Sequence, residues 1–165
     1  MSHVAVSKRS ALMRHMQPDS LPLPVRIFGL AGILPQIACL AIALTLPDWR
    51  WTALAAGCFY AALILAFLGG LWWMQAMLRG ERGWEPYVFA VLPSLGGLAA
   101  LLPWSLGWTW PGPSLVLLGL ALLLSPLIDR YLARFLPVPS GWLRLRLIMA
   151  SGLGGHTLLM GLSSP

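Results

Sequence analysis

Five apolar runs, each near the length a bilayer crossing demands, dominate the chain between Val25 and Leu162. They extend from Val25 to Leu46, Trp51 to Leu78, Pro86 to Leu102, Ser114 to Tyr131 and Leu145 to Leu162. A helix needs about 20 apolar residues to cross a hydrocarbon core of about 30 Å. With no water in that core, backbone N–H and C=O groups must be satisfied internally, which leaves helices or a closed barrel. Barrel strands alternate polar and apolar residues. These runs do not alternate, so helices are expected throughout. Composition agrees, because 58% of the 165 residues are hydrophobic and only 10% charged. A soluble domain carries about 25% charge, and so little charge could not cover its surface. The expected fold is all-α, an integral membrane bundle of five transmembrane helices.

The eleven Lys and Arg residues fall in the gaps and sort by side. Lys8, Arg9, Arg14 and Arg26 precede or open the first run, and Arg79 and Arg82 follow the second. Arg130, Arg134, Arg144 and Arg146 bracket the gap between the fourth and fifth, and only Arg50 lies on the other side. That ten-to-one split sets the N-terminus in and the C-terminus out by the positive-inside rule. The net charge of +6 is then a topology signal, and nucleic acid is not an expected partner. Residues 1–24 read as a polar basic cytoplasmic tail, 25–162 as the five-helix transmembrane domain, and 163–165 as a short outer tail. The tail lacks an apolar core and is no secretory signal peptide. A bacterial inner membrane is the expected location. A mitochondrial inner membrane is the alternative, since the tail is also Ser- and Arg-containing and poor in acid.

Trp49, Trp51, Trp104, Trp108 and Trp110 fall at the expected outer interface, and Trp84 and Trp142 at the inner one, where amphipathic rings favour the headgroup level. Trp72 and Trp73 need another reason. At 100° per residue, Ala62, Ala66, Gly69, Gly70 and Trp73 share a stripe of small residues that would admit a neighbouring backbone. This reading buries Trp73 and turns Trp72 towards lipid. On the first helix Gly29, Gly32, Gln36, Cys39 and Ala43 share a face; on the fifth, Gly152, Gly155 and His156 do. Gly69, Gly70, Gly152 and Gly155 are therefore the expected packing positions. Pro35 and Pro93 should each kink a helix and free a carbonyl that a neighbour must satisfy.

Little chemistry is visible. The five acids lie near or beyond the ends of the runs, where an ion-coupled transporter usually places charge deeper. There is no HExxH or GxSxG motif and no phosphate-binding loop. Cys39, Cys58 and His156 share a similar depth, but scattered positions are a weak metal signal. No catalytic residue, metal or cofactor is expected.

Several segments together carry a resemblance: "PVRIFGLAGILPQIACLAIA", "YAALILAFLGGLWW", "VLPSLGGLAALL" and "PSGWLRLRLIMASGL". The most specific are the FLGG-x-x-W core at Phe67 to Trp73 and the Trp-x-Arg-x-Arg entry at Trp142 to Arg146. The set resembles domain-of-unknown-function family 3429, small bacterial membrane proteins similar to eukaryotic transmembrane protein 69. Many relatives have His where this chain has Trp72, and a small residue where it has Met74. The resemblance implies a multi-helix inner-membrane protein and no activity, cofactor or mapped site.

Three functional classes follow. A non-catalytic bundle in membrane assembly, regulation or lipid interaction fits the small-residue faces best, with the bilayer and either anionic lipids or another membrane protein as partners. Its basic collar, Arg130, Arg134, Arg144 and Arg146, could hold an anionic headgroup, each Arg contributing about 1 kcal/mol. A small-molecule binder or uncoupled facilitator would place its slot between helices one, two and five, lined by Gln36, Trp73 and His156. A membrane enzyme using His156 or the arginines has least support, because His156 has no evident carboxylate partner.

Overall fold

The computed structural model describes residues 21–133 and 139–164. The described residues are helical, without strands, in six α-helices: α1 (Leu23–Ala31), α2 (Leu34–Thr45), α3 (Arg50–Leu78), α4 (Glu85–Ser105), α5 (Gly112–Ala133) and α6 (Trp142–Ser163). A 3-10 turn, Pro47–Trp49, leads into α3. Taken as crossings, α1 and α2 form one span from Leu23 to Thr45, and the described residues hold five helices long and apolar enough to cross a membrane. Their boundaries match the five apolar runs to within three residues.

The break between α1 and α2 has the expected cause. Pro35 carries no N–H, so the helical ladder loses a rung there and its ring crowds the preceding turn. The Gln36 amide bonds to Ile33 instead of to Gly32. The orphaned Gly32 carbonyl accepts a 2.6 Å hydrogen bond from the Tyr60 hydroxyl on α3. A proline on one helix is thus matched by a tyrosine on the next. Helix α4, by contrast, continues through Pro93 and Pro103, and α5 through Pro126.

Apolar helices gain little from packing against each other rather than against lipid, so close backbone approach must hold such a bundle. Glycine provides it at two seams. Between α3 and α4, a Cβ on Gly69 would run into the Ala90 carbonyl, and one on Gly97 would lie 3.1 Å from the Ala62 carbonyl. Between α5 and α6, Gly119 meets Gly154 and Leu158, while Gly161 meets Gly112 and Val116. The glycines of this second seam are seven residues apart on each helix, which keeps them on one face of an antiparallel pair. Helix α6 also packs against the first span, Gly29 lying against Met149 and Leu145 and Gly152 against Ile33. Those contacts make α1, α2 and α6 run in the same direction.

The tryptophan pair is oriented the opposite way to expectation. Trp72 is 2% exposed and lies in the core with Leu65, Leu68 and Ala76, whereas Trp73 is 45% exposed. The buried stripe of α3 includes Gly69 and excludes Gly70, whose added Cβ would meet nothing within 4 Å. A helix in lipid is apolar on every side, so its own periodicity does not single out the inward stripe.

The two ends of the bundle differ. One is rich in tryptophan, and here Trp110 is an interior piece rather than an interfacial anchor. At 8% exposure, it has ring contacts with Trp51, Phe59 and Trp104 at 5.6, 5.7 and 5.9 Å. These separations are within the usual range for paired aromatic rings. The opposite, basic end holds Arg79, Arg130, Arg144 and Arg146.

Candidate functional site

Three helices meet through a buried polar joint near the basic end. Trp72 of α3 donates its indole N–H to Oδ1 of Asp129 on α5 at 2.9 Å. Arg146 of α6 donates through Nε to the other carboxylate oxygen, Oδ2, at 2.8 Å. The side chains of Arg146 and Asp129 are each only 4% exposed, so this is a buried ion pair. Desolvating two charges is costly, and the attraction offsets that cost only when further hydrogen bonds satisfy the pair. Trp72 supplies such a bond, and does so with a side chain that otherwise packs as core. Two turns beyond Trp72, at the C-cap of α3, the Arg79 guanidinium donates to the Leu132 carbonyl in the last turn of α5, which complements the negative end of that helix.

A second polar contact ties the first span to α6. Gln36 is fully buried and donates from Nε2 to Thr157 Oγ1 at 2.8 Å, with Met160 Sδ at 3.5 Å. Thr157 donates in turn to the Leu153 carbonyl at 2.7 Å. Gly57 on α3 leaves room for this cluster, since a Cβ there would run into Met160. The expectation that Gln36 faces the bundle holds, and its partners are Thr157 and Met160 rather than His156.

The proposed slot residues are not brought together. Trp73 lies on the outside of the bundle, in an edge-on contact with Tyr87 of α4 at 5.0 Å. His156 is half-buried, and its Nδ1 lies 2.6 Å from the Gly152 carbonyl one turn back on its own helix. Among the described residues no group of three or more His, Cys, Asp or Glu could hold a metal. Of the four expected packing glycines, Gly69 and Gly152 make close approaches, while Gly70 and Gly155 meet nothing within 4 Å. Gly154, adjacent to Gly155, forms the tight seam with α5.

The arginine collar divides. Arg146 faces inward to Asp129, and Arg130 and Arg144 are exposed. Arg134 lies outside the described residues. Two positions apart on a helix, Arg144 and Arg146 cannot share a side. Sequence reasoning missed the inward turn of Trp72 and the burial of Arg146 against Asp129. The available signal was an Asp and an Arg flanking one short inter-helix gap, where an antiparallel hairpin brings them level.

Helices of this length and apolarity, packed through glycine seams and tied by interior polar contacts, define a membrane-type helical bundle. Within that class the chain belongs to the family described as "Protein of unknown function (DUF3429)", which it matches over residues 21–162. No curated protein and no solved structure was found to match it.

Proposed function

We propose that this protein is a non-catalytic multi-pass bundle of the bacterial inner membrane that serves membrane assembly, regulation or lipid interaction. The observation that carries the reading is the engagement of Asp129. Both of its oxygens accept hydrogen bonds from other helices, one from Trp72 and one from Arg146. A carboxylate with both oxygens engaged by neighbouring helices acts as a structural joint. It is also the one buried acid among the described residues. The ten-to-one distribution of basic residues supports an orientation with the N-terminus in and the C-terminus out. Kinship with eukaryotic transmembrane protein 69 is part of the same proposal and rests on the quoted sequence segments.

The test is to purify the protein from its native membrane in mild detergent and quantify the lipids and proteins that accompany it. A fixed stoichiometry of a lipid class or a membrane protein is expected, and it should persist when Asp129→Asn and Arg146→Gln together replace the ionic joint by a neutral one. Substrate turnover by the purified protein, abolished by that same neutral pair, would remove the proposal.

A further inference from the structure

The arginine that leaves the joint has a second setting. Helices α1 and α6 run side by side in the same direction, so their first turns lie at the same end of the bundle. Between those turns is a groove of about 420 Å³, of which Arg26, Arg144 and Ser140 form the polar part and Leu30, Leu145 and Ile148 the apolar part. Neither arginine has a hydrogen bond or ion pair among the described residues, and no acidic residue lines the groove. Among the described residues, two cations without an anionic partner therefore face one cleft.

The groove is graded along the helix axes. Leu30 follows Arg26, and Ile148 follows Arg144, by four residues, which places each apolar side chain about 6 Å deeper on the same face. A charged mouth above an apolar floor has the polarity order of a phospholipid, with phosphate first and glycerol and acyl chain beneath. Two further features favour an anion at the mouth. Both helices begin here with no side-chain cap, at Pro22 and Gly141, so their first-turn amides and positive dipole ends point the same way. Trp142 opens α6 at the same level, as interfacial tryptophans do.

We infer that this groove binds the headgroup of an anionic glycerophospholipid, with Arg26 and Arg144 on the phosphate and Leu30, Leu145 and Ile148 against the acyl chain. Arg146, two residues further along, is excluded by its bond to Asp129. The inference rests on the membrane reading above and adds the ligand class and its residues.

The experiment uses the full-length protein in nanodiscs of phosphatidylcholine with or without phosphatidylglycerol, followed by native mass spectrometry of the lipids retained after release. Wild type should keep one phosphatidylglycerol in preference to phosphatidylcholine. Arg26→Gln with Arg144→Gln should reduce that preference by about 30-fold, as expected for two surface arginines. Arg130→Gln, outside the groove, should leave it unchanged. Arg26→Lys with Arg144→Lys is the second variant; it keeps the charge, loses the bidentate fork and should retain part of the preference. Three results overturn the site: equal retention of both lipids by wild type, an Arg130→Gln effect as large as that of the double variant, or displacement of the lipid by millimolar inorganic phosphate. In each of these the protein still enters nanodiscs and the membrane reading stands. Failure of wild type to enter any bilayer overturns both.

Discussion

Trp72 and Asp129, 57 residues apart in the chain, are joined by an indole N–H to carboxylate hydrogen bond of 2.9 Å between two buried side chains. The bond gives a bulky aromatic residue a polar duty inside an apolar bundle. It also explains why Trp72, and not its neighbour, is turned inward. A tryptophan left without a partner for its N–H in such a place would cost the desolvation of that group.

The adjacent tryptophans should therefore respond very differently to truncation. Trp72→Ala removes a fully buried side chain and should cost about 3–5 kcal/mol. Trp73→Ala trims an exposed ring and should cost under about 1 kcal/mol. Reversible unfolding in mixed detergent micelles, followed by circular dichroism, separates the two; equal costs would contradict the burial described here.

Arg146 offers a test of how the ion pair works. Arg146→Met strands the Asp129 charge and should destabilise by about 3–5 kcal/mol. Adding Asp129→Leu removes the stranded charge, so the double variant should be more stable than the single one. The same unfolding assay reads both. A double variant worse than Arg146→Met would mean that the pair is worth more than its desolvation.

Glycine substitutions should divide by neighbour, not by helix. Gly69→Ala would thrust a Cβ at the Ala90 backbone and Gly154→Ala one at the Gly119 carbonyl, 2.9 Å away, so each should loosen a seam. Gly70→Ala and Gly155→Ala meet open space. They should be neutral, or stabilising by up to about 1 kcal/mol from helix propensity. Thermal aggregation midpoints of the four variants in one detergent would show the split, and uniform behaviour would refute it.

Threading can be checked independently. Reporter fusions after Trp49, after Trp108 and at Pro165 are expected outside, and fusions after Arg82 and Ser140 inside. A single reversed loop would contradict the proposed orientation.

The contrast between what sequence conveyed and what it did not has physical causes. Span positions were legible because hydrocarbon thickness fixes their length. Pro35 was legible because a proline inside a helix always removes one rung of its ladder, although the Tyr60 hydroxyl that takes up the freed Gly32 carbonyl was not. The inward faces of α3 and α6 were misread because lipid and protein interior are equally apolar, so the small-residue rule had to choose between adjacent glycines 100° apart. It placed Gly69 and Gly70 together on the inward stripe with Trp73, whereas only Gly69, in company with Trp72, faces inward. The rule also favoured Gly155 over Gly154, although the seven-residue spacings of Gly112 with Gly119 and of Gly154 with Gly161 carried the answer. The four arginines read as one collar because they flank one gap in the sequence; helical phase, which separates Arg144 from Arg146, was available and was not applied to them.

The most direct test of the three-helix joint is a double-mutant cycle between Trp72→Phe and Asp129→Leu, measured by unfolding in mixed micelles. The cost of stranding Arg146 is common to the single Asp129 variant and the double variant, so it cancels in the coupling term. A coupling of about 1–2 kcal/mol is predicted, between the membrane average of about 0.6 and the value for hydrogen bonds to charged groups of about 1.5–3. Additivity to within about 0.3 kcal/mol would show that Trp72 and Asp129 do not act on each other, and would contradict the joint.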